Sequence, residues 1–157
     1  MALKAGVVCG EDYVELVNAC KEGGYALAAV NCVGTDSVNA VMEAAAKNNS
    51  DVIIQFSNGG TQFYAGAGME DAFQAKVLGA VSAAQHVHLL AEHYGICAVL
   101  HTDHANRKLV PWVDALVDHS EAYYKENGKA LYSSHMLDLS EEDIDDNLSE
   151  CARMLER

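Results

Sequence analysis

The chain has 157 residues, 50% of them hydrophobic and 7% aromatic, with one proline and a formal charge of −13. That length supports one core burying roughly two thirds of the unfolded surface, and the composition excludes disordered and fibrous classes. The acidic balance excludes a general nucleic-acid or anionic-membrane surface, because either needs Lys and Arg gathered on one face.

In chain order, residues 11–21 place Tyr13, Leu16, Val17 and Cys20 at helical spacing, and Gly23-Gly24 closes that helix. Residues 26–30 form the first strand. Residues 31–36 lead into a second helix, capped by Thr35 or Asp36, with Val38, Val41, Met42 and Ala45 on one face. Residues 51–56 form the second strand. The glycine-bearing stretch 57–68 reads as a long connection, and such loops carry function. A helix over about residues 69–94, rich in Ala, Val and Leu, delivers the chain to a third strand at 96–104. Pro111 suits the first turn of a helix over 112–127 that Gly128 ends. A fourth strand follows at 131–136. Ser140 then caps a last helix at 141–157, whose acidic start and late Arg153 and Arg157 match the helix dipole.

Four strand-then-helix units behind one introductory helix predict a single α/β domain over 1–157, with parallel strands and right-handed crossovers. The five cysteines are scattered without C-x-x-C spacing, so they read as reduced thiols of a cytosolic protein, packed as small hydrophobes. Residues 1–10 hold no sustained apolar stretch, and no window approaches the length of a membrane span; neither export nor membrane spanning is signalled.

Chemistry concentrates where strands stop, the end at which parallel sheets gather ligands. The third strand ends in His101-Thr102-Asp103-His104. In a regular strand Asp103 and His104 face opposite ways, so both reach one site only if the strand is ending there. His104 reads either as a metal ligand or as a structural hydrogen-bonding group. Asp138 closes the fourth strand and either joins a shared cation site or prepares the last helix. His135 sits a layer deeper and reads as structural. Ser57-Asn58-Gly59-Gly60 offers a hydroxyl, an amide and unhindered N–H groups, suited to a phosphate or to an ordinary loop. Asn31 occupies the same rim. His86, His88 and His93 on the long helix take surface or packing roles.

Residues 29–37 (Ala-Val-Asn-Cys-Val-Gly-Thr-Asp-Ser), 55–60 (Gln-Phe-Ser-Asn-Gly-Gly), 100–104 (Leu-His-Thr-Asp-His) and 133–142 (Ser-Ser-His-Met-Leu-Asp-Leu-Ser-Glu-Glu) together resemble class II, metal-dependent fructose-bisphosphate aldolases. Thr102 makes the likeness closer to the IIA branch. The match covers the N-terminal half of such an enzyme. The resemblance implies the first four units of a TIM (β/α)8 barrel and a lyase that cleaves fructose 1,6-bisphosphate to glycerone phosphate and glyceraldehyde 3-phosphate, the reaction of glycolysis and gluconeogenesis. It also implies a cytoplasmic homodimer carrying Zn2+ and a second cation. Carried over by position, His104 resembles a zinc ligand, Asp103 the acid/base at the hydroxyl of carbon 4, Asn31 and Ser57 substrate contacts, and Asp138 a residue of the second metal position. The alternative is a non-catalytic half-barrel acting by self-association or by pairing with a separate second half, with strands one and four as open edges. A third expectation, an unrelated doubly wound phosphate- or metal-binding protein, predicts the first strand in the middle of the sheet.

Overall fold

Branched and aromatic residues concentrate in 52–56 and 97–105, and there the computed structural model, which describes residues 3–157, builds the two central strands of a parallel sheet. Residues 1 and 2, part of the stretch read above for export, lie outside the described residues. The order is β1 (Gly6–Val7), α1 (Glu11–Gly23), β2 (Ala29–Asn31), α2 (Thr35–Lys47), β3 (Val52–Phe56), α3 (Asn58–Ala65) and α4 (Ala72–Tyr94). β4 (Cys97–Ala105), a 3₁₀ turn (Arg107–Leu109), α5 (Val110–Asn127), β5 (Ser134–Leu137) and α6 (Ile144–Leu155) complete it.

β2, β3, β4 and β5 lie side by side in sequence order, every pair parallel. This succession is that of a barrel's first units, and it removes the first-strand-in-the-middle arrangement of a doubly wound sheet. The short β1 shares the outer edge of β4 with β5, pairing Gly6 with Cys97 and Val7 with Ala98. No helix of the described residues is long and apolar enough to cross a membrane.

Strand alternation divides the interior in two. Ile54, Phe56, Ala98 and Leu100 point toward the helices and pack with Val38, Met42, Val87 and Trp112. Cys97 and Val99 point the other way, onto Val8 and Leu16, so that α1 closes the base of the concave face. The upper part of that face is left for polar residues. All five cysteines are free, and burial pushes the Cys97 thiol up to about 11, in keeping with packing rather than reactive thiols.

α4 is built from small residues because it lies close to α3, to the flanking helices α2 and α5, and to the sheet. Ala75, Ala80, Ala83, Ala84 and Ala91 are buried along it, and Asp71 caps it by accepting from the backbone N–H groups of Phe73 and Gln74. At Gly79 a Cβ would fall 1.9 Å from the carbonyl oxygen of Thr61 in α3.

Several expectations are corrected. The segment 57–68 is not a plain loop. Ser57 caps α3 by accepting from Gly60 N–H at 3.1 Å, and Gly60 is buried, where an added Cβ would sit tightly against Ser57 Oγ and Val33. The cap of α2 is Gly34 rather than Thr35 or Asp36, with Ser37 Oγ reaching back to accept from Gly34 N–H. The last helix begins at Ile144, not at 141, because the Ser140 hydroxyl donates to Asp138 instead of capping, and buried Leu139 holds the preceding turn down. β1 had no signal, being only two residues long. His86 bonds Asn39, and His88 bonds the Leu131 carbonyl while stacking on Tyr123; both serve packing.

On the helix side of β5, His135 Nδ1 lies 2.8 Å from Thr102 Oγ1, and its ring packs on Tyr132. Burial pushes the imidazole down to about 4.

Two stability predictions follow from this packing. Gly79→Ala would gain about 1 kcal/mol from helix propensity alone; the collision with Thr61 is expected to reverse the sign and cost about 1–3 kcal/mol, read from urea midpoints. For His135 the unfolded chain binds a proton near pH 6.5 while the folded chain resists it until about 4, so stability falls as pH drops through that window. The loss is on the order of 3 kcal/mol, and His135→Gln is expected to flatten that acid limb in urea titrations between neutral and mildly acidic pH.

Candidate active site

β4 and β5 keep regular pairing through His101↔Ser134 and Thr102↔His135, and resume it at Ala105↔Leu137. Two residues of β4, Asp103 and His104, therefore stand opposite one residue of β5, Met136. This is a β-bulge, and bulges re-aim side chains at strand ends and beside active sites. It resolves the alternation problem: Asp103 and His104 serve one rim although the strand runs on to Ala105. Asp138 N–H donates to the Ala105 carbonyl at 2.8 Å, which locks the pairing again beyond the bulge.

Four of the five residues singled out from sequence meet there. Asn31 Nδ2 donates to Asp103 Oδ2 at 3.0 Å. His104 Nδ1 lies 2.8 Å from Asp138 Oδ2, and its Nε2 lies 3.7 Å from Asp103 Oδ1. Asp103 is the shielded member, its side chain 18% exposed against 65% for His104. Ser57 stands on the same rim, one residue beyond the end of β3, with its hydroxyl committed to the α3 cap. The polar row below the rim was missed as a set: Asn31, Gln55, His101 and Ser134 are successive cross-strand partners, and His101 Nδ1 lies 2.8 Å from Ser134 Oγ. Polar residues spaced two apart at the strand ends, 55 with 57 and 101 with 103, were the available signal.

Local electrostatics follow from these contacts. The hydrogen bond to Asp138, aided by the charge of Asp103, raises the pKa of His104. Asp138 is held below the usual carboxylate range by the Ser140 hydroxyl and then by His104. Burial lowers His101, against the opposing pull of Asp103. Arg107, the cation nearest in sequence, reaches Glu150 at 3.2 Å and also approaches Glu142 and Asp146, so much of its charge is already answered.

A metal centre finds only part of its donors here. Among the described residues no group of three or more His, Cys, Asp or Glu converges to hold an ion. With Nδ1 turned to Asp138, His104 presents Nε2 beside Asp103 Oδ1. One imidazole nitrogen and one carboxylate oxygen fall short of the three protein ligands of a catalytic zinc.

The model of the fructose-bisphosphate aldolase class-II family matches residues 11–157. A fructose-bisphosphate aldolase of Campylobacter jejuni is 55% identical over 155 residues, covering 99% of this chain and 43% of the relative. A fructose-bisphosphate aldolase class 2 of Escherichia coli is 53% identical over 157 residues, covering 99% of this chain and 44% of the relative. The crystal structure of the Campylobacter jejuni aldolase superposes with a TM-score of 0.91 at 56% identity, over 95% of this chain and 43% of that one. The chain thus spans less than half the length of the curated relatives it matches. Its consecutive parallel strands, its bulged rim and these likenesses agree, and the chain belongs to the class II fructose-bisphosphate aldolase family.

Proposed function

We propose that these residues form the N-terminal half of a zinc-dependent aldolase that cleaves fructose 1,6-bisphosphate to glycerone phosphate and glyceraldehyde 3-phosphate, and runs the reverse condensation. What supports this above all is the meeting of Asn31, Asp103, His104 and Asp138 on one rim, in a chain of this family. In this reading Asp103 takes the proton of the carbon-4 hydroxyl as the bond between carbons 3 and 4 breaks, the electron pair passing to the three-carbon ketone half as an enediolate. In the reverse direction it returns that proton. Asn31 occupies Asp103 Oδ2 and leaves Oδ1 facing the rim. Ser57, at the head of α3, contacts substrate. His104 would hold zinc through Nε2, and Asp138 orients its ring through Nδ1, the carboxylate–histidine pairing usual behind a metal. A second cation beside Asp138 belongs to the same reading.

The remaining zinc ligands and the positive charge for a bisphosphate come from outside these residues. The same reading makes the protein a single partial barrel unit of a cytoplasmic, homodimeric glycolytic enzyme, free of nucleic-acid and membrane partners. Its five unpaired cysteines and acidic surface support that setting.

The test pairs the 157-residue chain with a separately made polypeptide carrying the rest of the Escherichia coli relative. Fructose 1,6-bisphosphate cleavage is expected in the mixture and is expected to vanish with a chelator. Asp103→Asn is expected to lower kcat by about 10²- to 10⁴-fold. A mixture that assembles and binds zinc yet shows no cleavage, or an Asp103→Asn mixture as active as the parent, would remove the assignment.

A further inference from the structure

The bulge between Thr102 and Ala105 needs something to hold it, because regular pairing is the default for two parallel strands. Continued without a bulge, the register would set Asp103 against Met136, His104 against Leu137 and Ala105 against Asp138. Alternation would then turn His104 to the helix side and carry Asp138 away from it. On its near side the observed register carries two cross-strand side-chain bonds, His101 Nδ1 to Ser134 Oγ at 2.8 Å on the concave face and, across the last regular pair before the bulge, Thr102 Oγ1 to His135 Nδ1 at 2.8 Å on the helix side. Thr102 is wholly buried. His135 is fixed in turn by its ring against Tyr132, whose hydroxyl donates to the Ala80 carbonyl at 2.8 Å. The bond is thereby anchored in the helix layer, behind the rim and out of reach of substrate.

We infer that Thr102 and His135 are positioning residues, whose mutual hydrogen bond sets the register in which Asp103 and His104 share the rim and His104 meets Asp138. Neither touches the reacting atoms. A slip by one residue would exchange every side chain on the end of β4 between faces, so the bond that directly abuts the bulge has more leverage than its own strength suggests. The value of the pair for catalysis rests on the roles proposed for Asp103 and His104; the register it sets does not.

The distinguishing measurement is the protonation of the His104 ring, read by long-range proton–nitrogen correlation on the full chain at mildly alkaline pH, with the imidazoles neutral. The wild-type chain and Thr102→Ser, which retains the hydroxyl, are expected to carry the His104 proton on Nδ1, facing Asp138, with Nε2 bare. Thr102→Val, which keeps the shape and loses the hydroxyl, is expected to lose that signature as completely as Asp138→Asn does, while far-ultraviolet circular dichroism stays native. His135→Phe, which keeps a ring on Tyr132 and deletes Nδ1, is the second variant and is expected to behave like Thr102→Val.

A folded Thr102→Val or His135→Phe chain with the wild-type His104 signature overturns the inference, as does its absence from the wild-type chain. Collapse of both variants also overturns it, since the pair would then hold the fold rather than aim the ring. In the two-part aldolase mixture, Thr102→Val is expected to lower kcat about tenfold with KM little changed. A wild-type mixture that assembles and binds zinc without turnover would sink the aldolase assignment and leave the ring comparison standing; an unchanged His104 signature in a folded variant would sink the positioning role whatever the turnover.

Discussion

Two residues against one, between Thr102 and Ala105, is the constraint on which the rest of this rim depends. A strand offers each face only every second residue, so a regular β4 could deliver Asp103 or His104 to the concave side, never both. The bulge places a carboxylate and an imidazole side by side without ending the strand. β4 then continues to Ala105, whose carbonyl accepts from Asp138 N–H, and this backbone bond carries Asp138 to His104. Asn31 completes the set from β2, two strands away, because its cross-strand row leads through Gln55 to His101, two residues short of Asp103.

Most of the architecture was legible in the chain, for reasons that differ by element. Of the four long helices, α1 and α2 announced themselves by periodic apolar positions, α4 by its run of Ala, Val and Leu, and α5 by its proline start and glycine stop, which are local signals. α3 was not legible, since Gly59-Gly60 argues against a helix on propensity alone. Of the two, Gly60 sits tightly against the Ser57 cap and against Val33 and Cys32, which are distant in sequence. β1 was invisible because two residues carry no period. The rim residues Asn31, Asp103, His104 and Asp138 were found because strand ends are readable. How Asp103 and His104 face one way was not readable, because a bulge is a property of two strands together.

The charge balance acquires a local meaning once the rim is seen. With a formal −13, the chain repels anions at long range, and the rim itself gathers Asp103 and Asp138. Arg107 does not offset them, for its guanidinium faces Glu142, Asp146 and Glu150 from α6 and the turn before it. The acidic start of α6 therefore does more than stand in solvent: it ties the turn after β4 to the last helix, and Arg153 and Arg157 tie that helix to Asp114 and Asp118 on α5. Arg107, Arg153 and Arg157 are thus spent on structure.

Strand order sets the exposure of Asp103, Asp138 and Asn31, while the bulge tips His104 outward. β4 has neighbours along both edges, and Asp103, near its end, is the most shielded ionisable group of the set. β2 and β5 each have one neighbour among the described strands, and the residues they bring, Asn31 and Asp138, stand more open. The same gradient runs through the helix layer. Buried α4 covers the centre, while α6 at one flank leaves Ile144, Leu148 and Leu155 in solvent, and at the other flank Val30, Val41 and Ala44 line a shallow apolar groove. A proton-transfer group gains its power where water is excluded and dipoles are fixed. On that criterion the arc of strands shields the carboxylate of Asp103, the base of the proposed reaction, and leaves the His104 imidazole in the wet part of the rim.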